Sequence, residues 1–105
     1  MTELLQVSTA TETRQAAVTL VGDAVRQRLA ASAQVKGPVA SAFWHLGEFG
    51  QGEEWEAVLV TTADRYADLE AFLIEHHPWK NPQITAVVID RAAAACVQWA
   101  RESVS

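Results

Sequence analysis

Residues 35–62 read VKGPVASAFWHLGEFGQGEEWEAVLVTT, two extended arms folded back on each other at a glycine-rich tip. Gly47, Gly50 and Gly52 supply the permissive backbone that such a reversal needs. On the second arm Trp55, Ala57, Leu59 and Thr61 alternate with Glu54, Glu56, Val58, Val60 and Thr62, which places the two sets on opposite faces of a strand. The first arm divides in the same way, Val39, Ser41, Phe43 and His45 against Ala40, Ala42, Trp44 and Leu46. Apolar residues therefore lie on both faces, which an antiparallel sheet with one wet side would not show. Both faces need a cover. The chain's own helices can supply one, and further copies of the chain the other. Gly37-Pro38 interrupts the first arm, so a bulge or a sheet edge is expected there.

Upstream, residues 4–8 (LLQVS) are short, apolar and compatible with a strand, and Thr9 with Glu12 has the spacing of a capping box. Ala17, Val21, Val25 and Leu29 then recur every four residues, widened by Leu20 and Ala24, opposite Arg14, Asp23, Arg26 and Gln27. This pattern predicts a helix of about five turns, with the next strand beginning near Val35. Downstream, Thr62-Ala63-Asp64 reads as a helix start, and Tyr66, Leu69, Phe72, Leu73 and His76 form one stripe. Pro78 biases His77 away from helical geometry, so that helix ends near His76. After Pro82, residues 84–89 are a β-branched run of the kind found in buried strands. Asp90 can cap a short last helix with Cys96 and Trp99 on one face.

The order strand, helix, strand, strand, helix, strand and terminal helix predicts an α+β fold. It is a ferredoxin-like sandwich (βαββαβ plus a C-terminal helix) with two helices on one face of a four-stranded sheet. The other face stays bare and carries aromatic and aliphatic residues, an apolar patch too large for a monomer, so oligomerisation is expected. A length of 105 residues is read as one domain, 1–105.

Thirteen acidic against eight basic residues give a net charge of -5, with no basic cluster, which argues against a nucleic-acid partner. The single cysteine, Cys96, can form neither an internal disulfide nor a thiolate metal site by itself, and it fits a reducing compartment. With neither a signal-peptide pattern nor a long apolar run, the expectation is a cytoplasmic protein with no membrane partner. No Gly-rich phosphate loop, nucleophile elbow or HExxH pattern is present, and enzymatic activity is not expected.

Among the residues with chemistry to offer, His76 and His77 are the sharpest. Neighbouring residues on a helix point about 100 degrees apart, so both can reach one ion only if the helix ends between them, which Pro78 permits. Equally, His76 can pack on the core-facing stripe while His77 hydrogen-bonds the turn. Glu48, Glu53, Glu54 and Glu56 can gather a hard divalent cation where copies converge, or can simply solvate the hairpin and protect its edges. Phe43, Trp44, Trp55 and Trp79 can stack a planar ligand or fill an interface. Cys96 reads as a small buried hydrophobe or a nucleophile, and His45 is an isolated strand histidine.

Several of these features fall in a familiar order. Leu29-Ala30-Ala31 precedes the long strand, Phe43-Trp44 is followed by Gly47, and Glu56 leads into Thr61-Thr62. His76-His77-Pro78-Trp79 is followed by Pro82, and Trp99 sits in the last helix. Together they resemble the CutA divalent-ion-tolerance family over nearly the whole chain. The resemblance implies a ferredoxin-like, PII-like protomer in a tight homotrimer, with sheets packed around a three-fold axis and the long hairpin reaching a neighbour. It also implies a role in tolerance of copper and other divalent cations; members are further linked to bacterial cytochrome biogenesis and, in eukaryotes, to anchoring a partner enzyme. In members for which copper ligands are proposed, a cysteine at the end of the first strand joins the two adjacent histidines. Ser8 stands at that position here and Ser32 replaces a second family cysteine, while Trp79 stands for a tyrosine and Gln83 for an acidic residue. A hydroxyl is a poor soft-metal ligand beside a thiolate. The implied metal residues are thus His76, His77 and Ser8, holding copper or another divalent cation weakly. The alternative is a PII-like small-ligand or protein-anchoring module whose inter-subunit clefts use Glu56, Trp79 and Lys80.

Overall fold

The computed structural model describes residues 3–105. Strand β1 (Leu4–Thr11) leads into helix α1 (Arg14–Arg26), followed by the hairpin of β2 (Ser32–His45) and β3 (Glu48–Thr62). A single 3-10 turn (Ala63–Arg65) opens helix α2 (Tyr66–His76), after which come strand β4 (Thr85–Ile89) and helix α3 (Ala94–Ser103). The four strands form one antiparallel sheet in the order β2-β3-β1-β4, the ferredoxin-like arrangement the element order predicts.

The hairpin dictates where its neighbours begin and end. Because β3 offers partners as far as Trp55, β1 runs on through Thr9↔Ala57 to Thr11↔Trp55. Thr9 is therefore a strand residue and the Thr9–Glu12 capping box does not form. Thr13 caps α1 instead, its hydroxyl accepting from the Ala16 amide at 3.1 Å. At the other end, Arg28 adopts φ 61° and the Leu29 amide donates to the Ala24 carbonyl, stopping α1 one turn short of the apolar stripe's end. The Ala31 amide then donates to the Val60 carbonyl, and β2 starts at Ser32 rather than near Val35. The expected bulge is present as a register shift between Lys36 and Val39, on an edge strand. At the tip, Leu46 and Gly47 form a two-residue turn with φ of 52° and 81°, both positive as a type I′ hairpin turn requires.

Alternation along β1 separates two cores. Val7 points towards α1 and α2, where it meets Leu20, Ala24, Leu59, Leu69 and Leu73. Leu4 points to the opposite face and packs with Ala31, Ala100 and Val104, so α3 covers one end of the face expected to be bare. β4 is the other edge strand, and it differs from the buried strand its composition predicts: Val87 and Val88 are 60% and 55% exposed. Its β-branched residues satisfy strand geometry, but neither helix layer reaches across it. Asp90 does not cap α3, whose N-cap is Ala93 without a side-chain bond.

Beyond Trp55 the hairpin has no β1 partner and projects as a two-stranded ribbon, which gives the chain its 44 × 25 × 22 Å outline. Trp44 and Phe49 meet edge to face at 6.0 Å near its tip, with Trp44 76% and Leu46 90% exposed.

Candidate functional site

His77 sits just past α2, where Pro78 forces the backbone to an extended conformation (φ -67°, ψ 139°). Its side chain is buried and both ring nitrogens are engaged. Nε2 lies 2.8 Å from the Ala10 carbonyl oxygen, and Nδ1 lies 3.0 Å from the Trp79 amide nitrogen. A carbonyl can only accept and an amide N–H can only donate, so the ring is the neutral tautomer with its proton on Nε2. β4 stops at Thr85, opposite Ser8, and beyond that point the His77 ring takes the β1 carbonyl at Ala10. The residue thus ties the end of α2 to the end of β1.

His76 behaves differently. It is exposed, its ring stacks on Phe72 at 4.2 Å, and Nδ1 is 3.0 Å from the Phe72 carbonyl oxygen. That contact places the proton on Nδ1 and leaves the Nε2 lone pair without a hydrogen-bond partner among the described residues. Of the two histidines, one offers a free nitrogen and the other offers none.

Ser8 and Glu56 come together elsewhere. They line a cavity of about 210 Å³ on the sheet face opposite α1 and α2, with Glu54, Val39, Gln83 and Thr85 among its walls. The register explains this, since Ser8 pairs with both Val58 and Thr85, and Ala10 with Glu56. None of His76, His77, Trp79 and Lys80 is among the lining residues. Trp79 is half-buried against the His77 ring at 5.2 Å, and Lys80 is exposed. The cavity that holds Ser8 thus includes neither His76 nor His77, the other residues of the expected metal trio, and no group of three or more His, Cys, Asp or Glu side chains gathers among the described residues. The donor set fits a single free imidazole nitrogen and not a multi-ligand centre. Cys96, one of the open cases, is exposed. Sequence reasoning missed the Ala10 carbonyl, a main-chain group that no residue pattern marks.

Burial pushes the His77 pKa below its ordinary 6.5, and the hydrogen bond to the Ala10 carbonyl offsets this only in part. The unfolded chain therefore binds a proton more readily than the folded one, and stability rises with pH in that window. The His77 contribution is expected to be complete above about pH 6.5 and to fade as pH falls below it. Urea denaturation of the parent and of His77→Gln across this range checks it: the parent should lose more stability than the variant on acidification.

A family profile described as CutA1 divalent ion tolerance protein matches residues 5–103. The divalent-cation tolerance protein CutA of Thermotoga maritima is 32% identical over 66 residues, 63% of this chain and 65% of that relative's length. The structure superposes on divalent cation tolerance protein (Cut A1) from Thermus thermophilus with a TM-score of 0.91 at 25% identity, covering 100% of both chains. CutA1 from Ehrlichia chaffeensis gives a TM-score of 0.93 at 21% identity, over 100% of this chain and 98% of that one. The periplasmic divalent cation tolerance protein CutA of Archaeoglobus fulgidus gives 0.92 at 20% identity, over 97% and 99%. With the fold, the long hairpin and the His-His-Pro turn all in place, the profile match over nearly the full length decides the assignment: the chain belongs to the CutA1 divalent ion tolerance protein family.

Proposed function

We propose that this protein acts in divalent-cation tolerance as a cytoplasmic homotrimer of single-domain protomers, binding a divalent cation weakly through His76. The observation that carries the reading is the His76 ring, whose Nδ1–H is held by the Phe72 carbonyl while Nε2 is free at the surface. A backbone carbonyl on one nitrogen is the usual way an imidazole is oriented to present the other to a metal. Imidazole suits copper(II), zinc and nickel, and with Ser8 in place of a thiolate the preference for copper(I) falls away. His77 serves as the positioning residue that fixes the end of α2. Self-association is supported by Val39, Phe43 and Val87, which are exposed on the face away from α1 and α2.

Calorimetric titration with Cu(I), Cu(II), Zn(II) and Ni(II) tests this. Weak binding of the divalent ions is expected, lost in His76→Ala and retained in His77→Ala under conditions where that variant is folded. Binding unchanged by His76→Ala would overturn the assignment. One observation favours a second reading, a small-ligand module: the cavity holding Ser8, Glu54, Glu56, Gln83 and Thr85 combines carboxylates, hydroxyls and an amide. A module of that kind would gain thermal stability with a small organic compound and be indifferent to metal.

A further inference from the structure

Two irregularities of the sheet fall on one residue, Trp55. Between the pairs Lys36↔Glu56 and Val39↔Glu54, both Gly37 and Pro38 stand opposite Trp55 alone, the two-against-one count of a β-bulge. On its other side Trp55 pairs with Thr11, the last residue of β1. From Val39↔Glu54 to His45↔Glu48 the hairpin is ribbon, with no third strand beside it. Trp55 is therefore the pivot between the sheet and the projecting arm.

A bulge bends its strand and increases the local twist, and a two-stranded ribbon by itself is marginally stable. An arm hinged there would swing unless something filled the bend. The Trp55 indole does so. A Cβ added at Gly37 would fall 2.7 Å from its Cε3 and 2.9 Å from its Cδ2, so the ring lies directly against the glycine backbone and leaves no room for a side chain. The indole is half-buried on the helix side of the sheet, away from the face on which copies are expected to meet. The base beneath it is fixed, since Thr11 is fully buried and its hydroxyl donates to the carbonyl of Thr13, the residue that caps α1, at 2.7 Å.

We propose that the Gly37–Trp55 contact is a locked elbow that sets the angle at which the ribbon leaves the sheet, so that the ribbon is a preformed arm for a second copy of this chain. A preformed arm spares association the cost of ordering it. The partner rests on the homotrimer reading above, whereas the elbow belongs to the single chain.

Pulsed electron paramagnetic resonance tests it, with spin labels at Gln15→Cys on α1 and Glu48→Cys at the ribbon tip in a Cys96→Ser background. Labelled chains are assembled with an excess of unlabelled chain, so the distance read lies within one protomer. One narrow distance distribution is expected with Trp55 in place. It should be at least about twofold broader in Trp55→Ala, where the bend is empty, and should keep its width in Trp55→Phe, which leaves a ring there. Gly37→Ala should displace the indole and shift the mean distance. In unlabelled protein Trp55→Ala is expected to raise the concentration at which the trimer dissociates by about tenfold, with the far-ultraviolet circular dichroism of the parent. A distribution as narrow in Trp55→Ala as with Trp55 would overturn the elbow even within a trimer, since the neighbour and not the indole would then hold the arm. A distribution already broad with Trp55 in place would overturn it as well. A broadened distribution beside an unchanged dissociation concentration would refute the arm's role in assembly. A parent that scatters as a single chain yet keeps the narrow distribution would overturn the homotrimer and uphold the elbow.

Discussion

Leu59→Ala is expected to lower the unfolding free energy by about 2–5 kcal/mol, through lost transfer energy and the cavity left behind. Leu59 is fully buried in β3, a central strand, where it pairs with Val7 on one side and Ala33 on the other. Above it lie α1 and α2, through Leu20, Ala24, Leu69 and Leu73. A residue enclosed by two strands and two helices cannot be replaced by a small local shift, because each neighbour is tied into its own element. Urea denaturation at fixed protomer concentration reads the effect as a fall in midpoint with an unchanged slope. A loss under about 1 kcal/mol would mean that the helices collapse onto the gap, and that the core is looser than its burial implies.

The alternation that places Leu59 inside was legible in the sequence, and so was the rest of the hairpin's logic. Trp55, Ala57, Leu59 and Thr61 point towards the helices because a strand's period is two, and the Gly37-Pro38 bulge follows from a proline that cannot donate to a ladder. Other features depend on partners distant in sequence. Thr9 and Thr13 both have cap chemistry, and only the length of β3 decides that Thr9 pairs with Ala57 while Thr13 caps α1. The run at residues 84–89 announces a strand but not what covers it, so the exposure of Val87 and Val88 was not readable.

The site divides in the same way. Pro78 correctly separates His76 from His77, and the packing reading of the pair anticipates His77 hydrogen-bonding the turn through the Trp79 amide. What residue types cannot reveal is that the other His77 nitrogen is spent on a carbonyl 67 positions earlier. Nor do they reveal that, within the chain, Glu56 shares a cavity with Ser8, Gln83 and Thr85. Strand register makes that choice, and register is a property of two segments at once.

On the homotrimer proposed above, a double replacement, Val39→Glu with Phe43→Glu, is expected to reduce the particle from three chains to one by light scattering at micromolar concentration. Both residues lie on edge strand β2, on the face away from α1 and α2. Phe43 crosses over Gly50, where an added Cβ would fall 2.5 Å from its ring, so the side chain lies flat on the ribbon with its outer surface open. Burying a Phe and a Val side chain against a neighbour contributes about 1.5–3 kcal/mol each, and a trimer gains this three times over. Two glutamates reverse the sign, since an unpaired carboxylate resists burial and Glu54 already faces position 39 across the ladder. Neither residue belongs to either core cluster, so the far-ultraviolet circular dichroism of the variant should match the parent and separate dissociation from unfolding. A parent protein that already scatters as a single chain at that concentration would sink the trimer, and the projecting hairpin would then need a different partner.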